Sequence, residues 1–145
     1  MYKTIVLAYD GSQAGQDAIL QCEELTQWSH AHLWIVAVQP DSTASLGLGY
    51  APSAQSDAQE HKAYEELLAR GVQKLESHGH KESSKLLVGV AVHEISEFAK
   101  SVNADLIVVG HTQYDSWVQR WWHNAISGAL VEHAPCSVLC VVNKR

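Results

Sequence analysis

The stretch Thr4–Ser12, TIVLAYDGS, decides how the rest of the chain is read. Thr4 to Tyr9 is an uncharged run rich in branched apolar residues, as expected of a strand covered on both faces. Asp10, Gly11 and Ser12 then end it. Gly11 permits a tight turn, and Ser12 is a good helix N-cap. Beyond the turn, Ala14, Ala18, Cys22 and Leu25 recur at helical spacing and predict a helix from Ala14 to Trp28. A buried strand that turns directly into a helix opens a parallel α/β unit.

The same alternation continues along the chain. Four further apolar runs follow: HLWIVAV (His32 to Val38), SKLLVGV (Ser84 to Val90), DLIVVG (Asp105 to Gly110) and SVLCVV (Ser137 to Val142). Between them, Ala63, Leu67, Leu68, Val72 and Leu75 predict a helix from Asp57 to His78, and Ile95, Phe98, Ala99 and Val102 one from Val92 to Val102. A last helix is expected to begin near Asn124 and to use Ile126, Ala129 and Leu130. Strands alternating with helices predict a doubly wound α/β fold, a single domain over residues 1–145 with a five-stranded parallel sheet and helices on both faces. One connection is long: Gln39 to Gln55, whose Gly, Ser, Ala and Pro content is that of a mobile loop.

Bulk properties narrow the function classes. A chain of 145 residues, 46% hydrophobic, suits one core. Its net charge of -6, with only 10 Lys plus Arg, argues against general binding to nucleic acid or anionic lipid. No apolar run approaches the roughly 18 to 20 residues of a membrane span, and the N-terminus lacks a signal-peptide h-region. A cytoplasmic protein is expected. The cysteines show no zinc spacing. Cys136 and Cys140 would lie roughly 13 Å apart along a strand, too far to bridge, so all three are expected to be packed, reduced thiols. No His pair stands at i, i+4 with a third ligand in view, so no metal site is expected. Ser12 has no His/Asp partners and no acid/base carboxylate pair emerges, so no catalytic residues and no enzyme activity are expected.

In an open parallel sheet, ligands sit beyond the carboxyl ends of the strands, where strand order reverses. Three segments carry a resemblance that bears on this end of the fold. KTIVLAYDGSQAGQDAI, VGVAVHEISEFAKSVNADLIVVG and HAPCSVLCVV, in this order and at these intervals, resemble the universal stress protein (UspA) family over nearly the whole chain. The resemblance implies a sheet of order 3-2-1-4-5. It also implies a homodimer through the last strand, with Ser137, Val138, Leu139 and Val141 in the contact. In one branch of the family it implies an ATP or AMP site. The matching positions here are Ala8, Tyr9, Asp10, Val38, Val109, Gly110 and His111, then Gln113, Asn124, Ala125, Ile126 and Ser127 in the phosphate loop and the helix after it.

That loop departs from the family's Gly-x2-Gly-x9-Gly-Ser/Thr pattern. Gly110 matches the first glycine, but Gln113 stands at the second, and Asn124 and Ala125 replace the Gly-Ser pair. Side chains there obstruct the close approach of backbone N–H groups to phosphate. Trp117, Trp121 and Trp122 crowd the same segment and are expected to pack or to meet a partner. GHTQYDSW also resembles the UspA-like branch that lacks the glycine motif. The expected function is therefore a small dimeric stress-response protein acting through contacts with a protein partner of unknown identity, with nucleotide binding weak or lost. The alternative is an ATP- or AMP-binding module in which Arg120, His111 and His123 assist an altered loop, slow ATP hydrolysis being a variant of it.

Overall fold

The opening run lies at the centre of the sheet. A computed structural model describes residues 1–41, 54–77, 82–112 and 128–143. In it β1 (Thr4–Ala8) pairs in parallel with β2 (His32–Gln39) on one side and with β4 (Leu106–Thr112) on the other. β3 (Glu82–Val88) extends the sheet beyond β2, and β5 (Ser137–Asn143) extends it beyond β4. The order is β3-β2-β1-β4-β5, all parallel, as expected.

Alternate residues of the central strands feed two separate cores, because successive side chains leave a strand on opposite faces. Ile5, Leu7, Leu33, Ile35 and Val108 pack beneath α1 (Gln13–Ser29) and α2 (Ala54–Glu76). Val6, Val36, Ile107 and Val109 pack on the other face with Ile95 and Ala99 of α3 (Ala91–Ser101) and with Leu130. Leu130 belongs to the helical residues 128–133. Each aliphatic side chain buried in this way contributes roughly 1.5–3 kcal/mol. This two-sided burial is why β1 and β4 read as continuous apolar runs.

The boundaries differ from expectation where polar contacts decide them. β3 begins at Glu82 and ends at Val88, two residues earlier at each end than the predicted Ser84 to Val90. It is an edge strand whose Ser84 and Lys85 are exposed, so an apolar pattern misses its start, and Gly89 at φ 143° ends it. β4 starts at Leu106 rather than Asp105. Asp105 instead accepts hydrogen bonds from the backbone N–H groups of Lys3 (2.7 Å) and Thr4 (2.9 Å), tying the start of β1 to that of β4. These bonds hold its carboxyl below the ordinary carboxylate range. On α2, Leu68 and Leu75 are buried as predicted, whereas Ala63 is exposed. The long connection after β2 falls mostly on residues outside those described.

Candidate functional site

Strand order reverses between β1 and β4, so the crevice of this sheet lies beyond their carboxyl ends. Ala8 is level with Val36 on β2 and Val109 on β4, and Val38 lies two residues further along β2. Ala8, Val38 and Val109 share one face and pack into the α3-side core. The structure thus brings these three together at the crevice floor.

Asp10 shapes the turn that follows. Its Oδ1 accepts from the Ser12 backbone N–H (2.9 Å) and from the Ser12 hydroxyl (2.5 Å). Ser12 Oγ in turn accepts from Gly15 N–H (3.0 Å) and caps α1. Gly11, at φ 79°, supplies the left-handed turn that this chain of bonds needs. Asp10 itself is exposed. One carboxylate oxygen is therefore committed to the turn, while the residue still borders solvent at the crevice.

Tyr9 has a different role from its neighbour. It is 5% exposed and belongs to the core beneath α1 and α2. Its N–H donates to Val36 O (2.8 Å), and burial pushes its phenol pKa upward. Its ring lies so close to Gly71 that a Cβ there would come within 2.9 Å of it. Tyr9 is a packing residue.

Gly110 is explained by packing as well. A Cβ at this position would lie 2.4 Å from the Ala14 carbonyl carbon and 2.6 Å from Gly15 N. The first turn of α1 rests directly on β4 at this glycine, and only glycine allows that approach. A glycine here is required by the fold whether or not a phosphate follows. His111, the next residue, is partly buried, and its Nδ1 is buried without a hydrogen-bond partner among the described residues. Gln113, Asn124, Ala125, Ile126 and Ser127 lie outside the described residues, as do Trp117, Trp121 and Trp122.

A helix N-terminus is the natural seat for an anion. Two described N-termini at this end already have a carboxylate of the chain itself beside them. At α1 it is Asp10, which accepts hydrogen bonds from the Ser12 cap. At α3 the Glu94 side chain folds back over Gly89, where a Cβ would meet its Oε1 at 2.7 Å. A phosphate approaching either one would meet negative charge.

Sequence reasoning passed over one polar contact nearby. Gln39, the last residue of β2, is buried, and its Oε1 lies 2.8 Å from His61 Nδ1. His61 Nε2 in turn lies 3.1 Å from Glu65 Oε1 on the next turn of α2. The available signal was Gln39 directly after an apolar strand, but its partner is 22 residues away.

Among the described residues, β5 is an edge strand of the sheet, next to β4. Its sequence, SVLCVVN, has no charge and no proline. Leu139 and Val141 pack towards the α1 core, and Val138 and Cys140 towards the α3 core. Val142 is 40% exposed, and Asn143 Nδ2 donates to Asp17 Oδ2 of α1 (2.8 Å). The cysteines are free: Cys22 is buried, its thiol pushed up to about 12 by that burial, and Cys136 and Cys140 are partly buried. No described helix is long and apolar enough to cross a membrane.

Comparison with known proteins fits this geometry. A putative universal stress protein of Staphylococcus aureus (strain USA300) is 30% identical, over 97% of this chain and 84% of its own length. A crystal structure from the universal stress protein family of Burkholderia pseudomallei has a TM-score of 0.73 at 26% identity, covering 97% of this chain and 96% of its own. A universal stress protein from Archaeoglobus fulgidus in complex with dAMP has the same fold, with a TM-score of 0.69 at 21% identity, covering 97% of this chain and 98% of its own. The model of the universal stress protein family matches residues 1–142, and the chain belongs to that family.

Proposed function

We propose that this protein is a dimeric, cytoplasmic stress-response protein that acts through protein contacts, with adenine-nucleotide binding weak or lost and no catalytic role. The observation that supports this reading is β5 itself: seven residues without charge or proline, forming an edge of the sheet among the described residues. Such an edge is a template for pairing unless something covers it. The phosphate side supports the same reading. Gln113, Asn124 and Ala125 stand where the loop pattern of the nucleotide-binding branch has glycines and a hydroxyl, and the N-termini of α1 and α3 carry Asp10 and Glu94.

A second reading is favoured by a specific observation, the dAMP complex of the Archaeoglobus neighbour. On that reading ATP or AMP lies over Ala8, Val38 and Val109, with the exposed Asp10 on the ribose and the phosphates on the segment after His111. Titration calorimetry with ATP and with AMP, each with Mg²⁺, separates the two. The first reading predicts no heat of binding at micromolar nucleotide. Micromolar binding that disappears in Asp10→Ala would establish the second.

A further inference from the structure

We propose that His61 and Glu65 form a binding site for a late first-row divalent metal ion such as Zn²⁺, with Gln39 holding the imidazole in place. His61 and Glu65 stand one turn apart on α2, at i and i+4, so their side chains share one face of the helix. Gln39 ends β2 and is buried, and its Oε1 lies 2.8 Å from His61 Nδ1. An amide oxygen only accepts, so Nδ1 carries the proton. The neutral ring then turns its Nε2 lone pair to Glu65 Oε1, 3.1 Å away. Two acceptors that close need a cation between them, either a second imidazole proton or a metal ion.

The geometry suits the metal. Neighbouring ligands around an ion, each at about 2.0–2.2 Å, stand roughly 3.0–3.4 Å apart, so the observed 3.1 Å already matches the bite of such a chelate. A metal-bound histidine commonly donates its other ring N–H to a carbonyl or carboxylate, which fixes the tautomer and the ring plane. The buried Gln39 amide stands in that position. One imidazole with one carboxylate favours zinc, copper or nickel over magnesium and calcium, which take oxygen ligands. The described residues contain no group of three or more His, Cys, Asp or Glu able to hold an ion, so this site has two protein ligands and water completes it. The two side chains are 48% and 59% exposed, which leaves room for that water.

A Zn²⁺ titration of the full chain, followed by amide ¹H–¹⁵N shifts, reads each site separately, which matters in a chain with nine histidines. The amides around His61 and Glu65 should move together on one saturating curve. His61→Ala should abolish that curve. Glu65→Gln, a change at an exposed position, should weaken it by at least about tenfold. Gln39→Met keeps the bulk of the side chain but not the acceptor. It should weaken binding by about 10–100-fold with both ligands still present, the cost of losing a partner that orients a ligand. No movement at α2 would overturn the proposal; shifts confined to other histidines would then mean an adventitious ion only. Unchanged affinity at α2 in Glu65→Gln would overturn it too, since His61 would be acting alone. Wild-type affinity in Gln39→Met would overturn the positioning role of Gln39.

Discussion

β3 at one edge of the sheet opens Glu82-Ser83-Ser84-Lys85, whereas β5 at the other runs from Ser137 to Asn143 without a charge. Among the described residues, each of these strands has one neighbour in the sheet. At β3, Ser84 and Lys85 are exposed, and a cleft of about 620 Å³ between this strand and α2 is lined in part by His61, Glu65, Gln73 and Glu76. Charge on an edge strand opposes pairing with another sheet. β5 lacks that charge and carries the exposed Val142 next to its last residue. Among the described residues the sheet thus has a charged edge and an uncharged one, and the proposed dimer uses the uncharged one.

Support beneath the two edges differs too, and glycine substitutions would sharpen the contrast. On the β5 side a Cβ at Gly110 strikes α1 backbone at 2.4 Å, so neither partner can yield without moving the helix. Gly110→Ala should destabilise the fold by about 3 kcal/mol or more, measured by denaturant unfolding. On the β3 side, a Cβ at Gly71 meets the side chains of Ile35 and Tyr9, at 2.7 and 2.9 Å. Side chains adjust, and alanine is favoured over glycine in a helix, so Gly71→Ala should cost only about 1 kcal/mol. Equal costs would show that α1 does not bear on β4 as described.

Asp105 lies between the halves, at the start of β4 beside β1. Its folded pKa is lowered, first by the Lys3 and Thr4 N–H bonds. Its contribution is therefore fully present above the unfolded value of about 3.9 and is lost as pH falls through the folded value. Asp105→Asn should lower Tm near neutral pH, and the gap from wild type should close in acid below about pH 4. A gap that widens in acid would reverse the sign of this account. The smallest expected effect is local to β5. Removing the Asp17–Asn143 bond with Asp17→Ala should cost about 0.5–1 kcal/mol and speed amide exchange at the end of β5, with no change at β3.

Much of the fold is legible in the sequence because the central strands are buried on both faces. Ile5, Val6, Leu7, Ile107 and Val108 leave no ambiguity of period, and Asp10-Gly11-Ser12 announces its turn by residue type alone. The edge strand β3 reads less clearly, since Ser83, Ser84 and Lys85 satisfy the ladder through their backbone while their side chains break the apolar pattern. The site is partly legible. Ala8, Val38 and Val109 do converge, but nothing in the residue types reveals that Tyr9 points into the core or that Gly110 serves α1. Both depend on contacts with distant helices, as does the His61 contact with Gln39.

The contrast between the edges is tested most directly by placing the same charge on each. Val142 and Val88 are both exposed, at 40% and 50%, so lysine at either fits the folded monomer. Sedimentation equilibrium should find wild type and Val88→Lys dimeric and Val142→Lys monomeric at the same concentration. A monomeric wild type, or a dimer that survives Val142→Lys and dissociates with Val88→Lys, would contradict the assignment of the partner to β5.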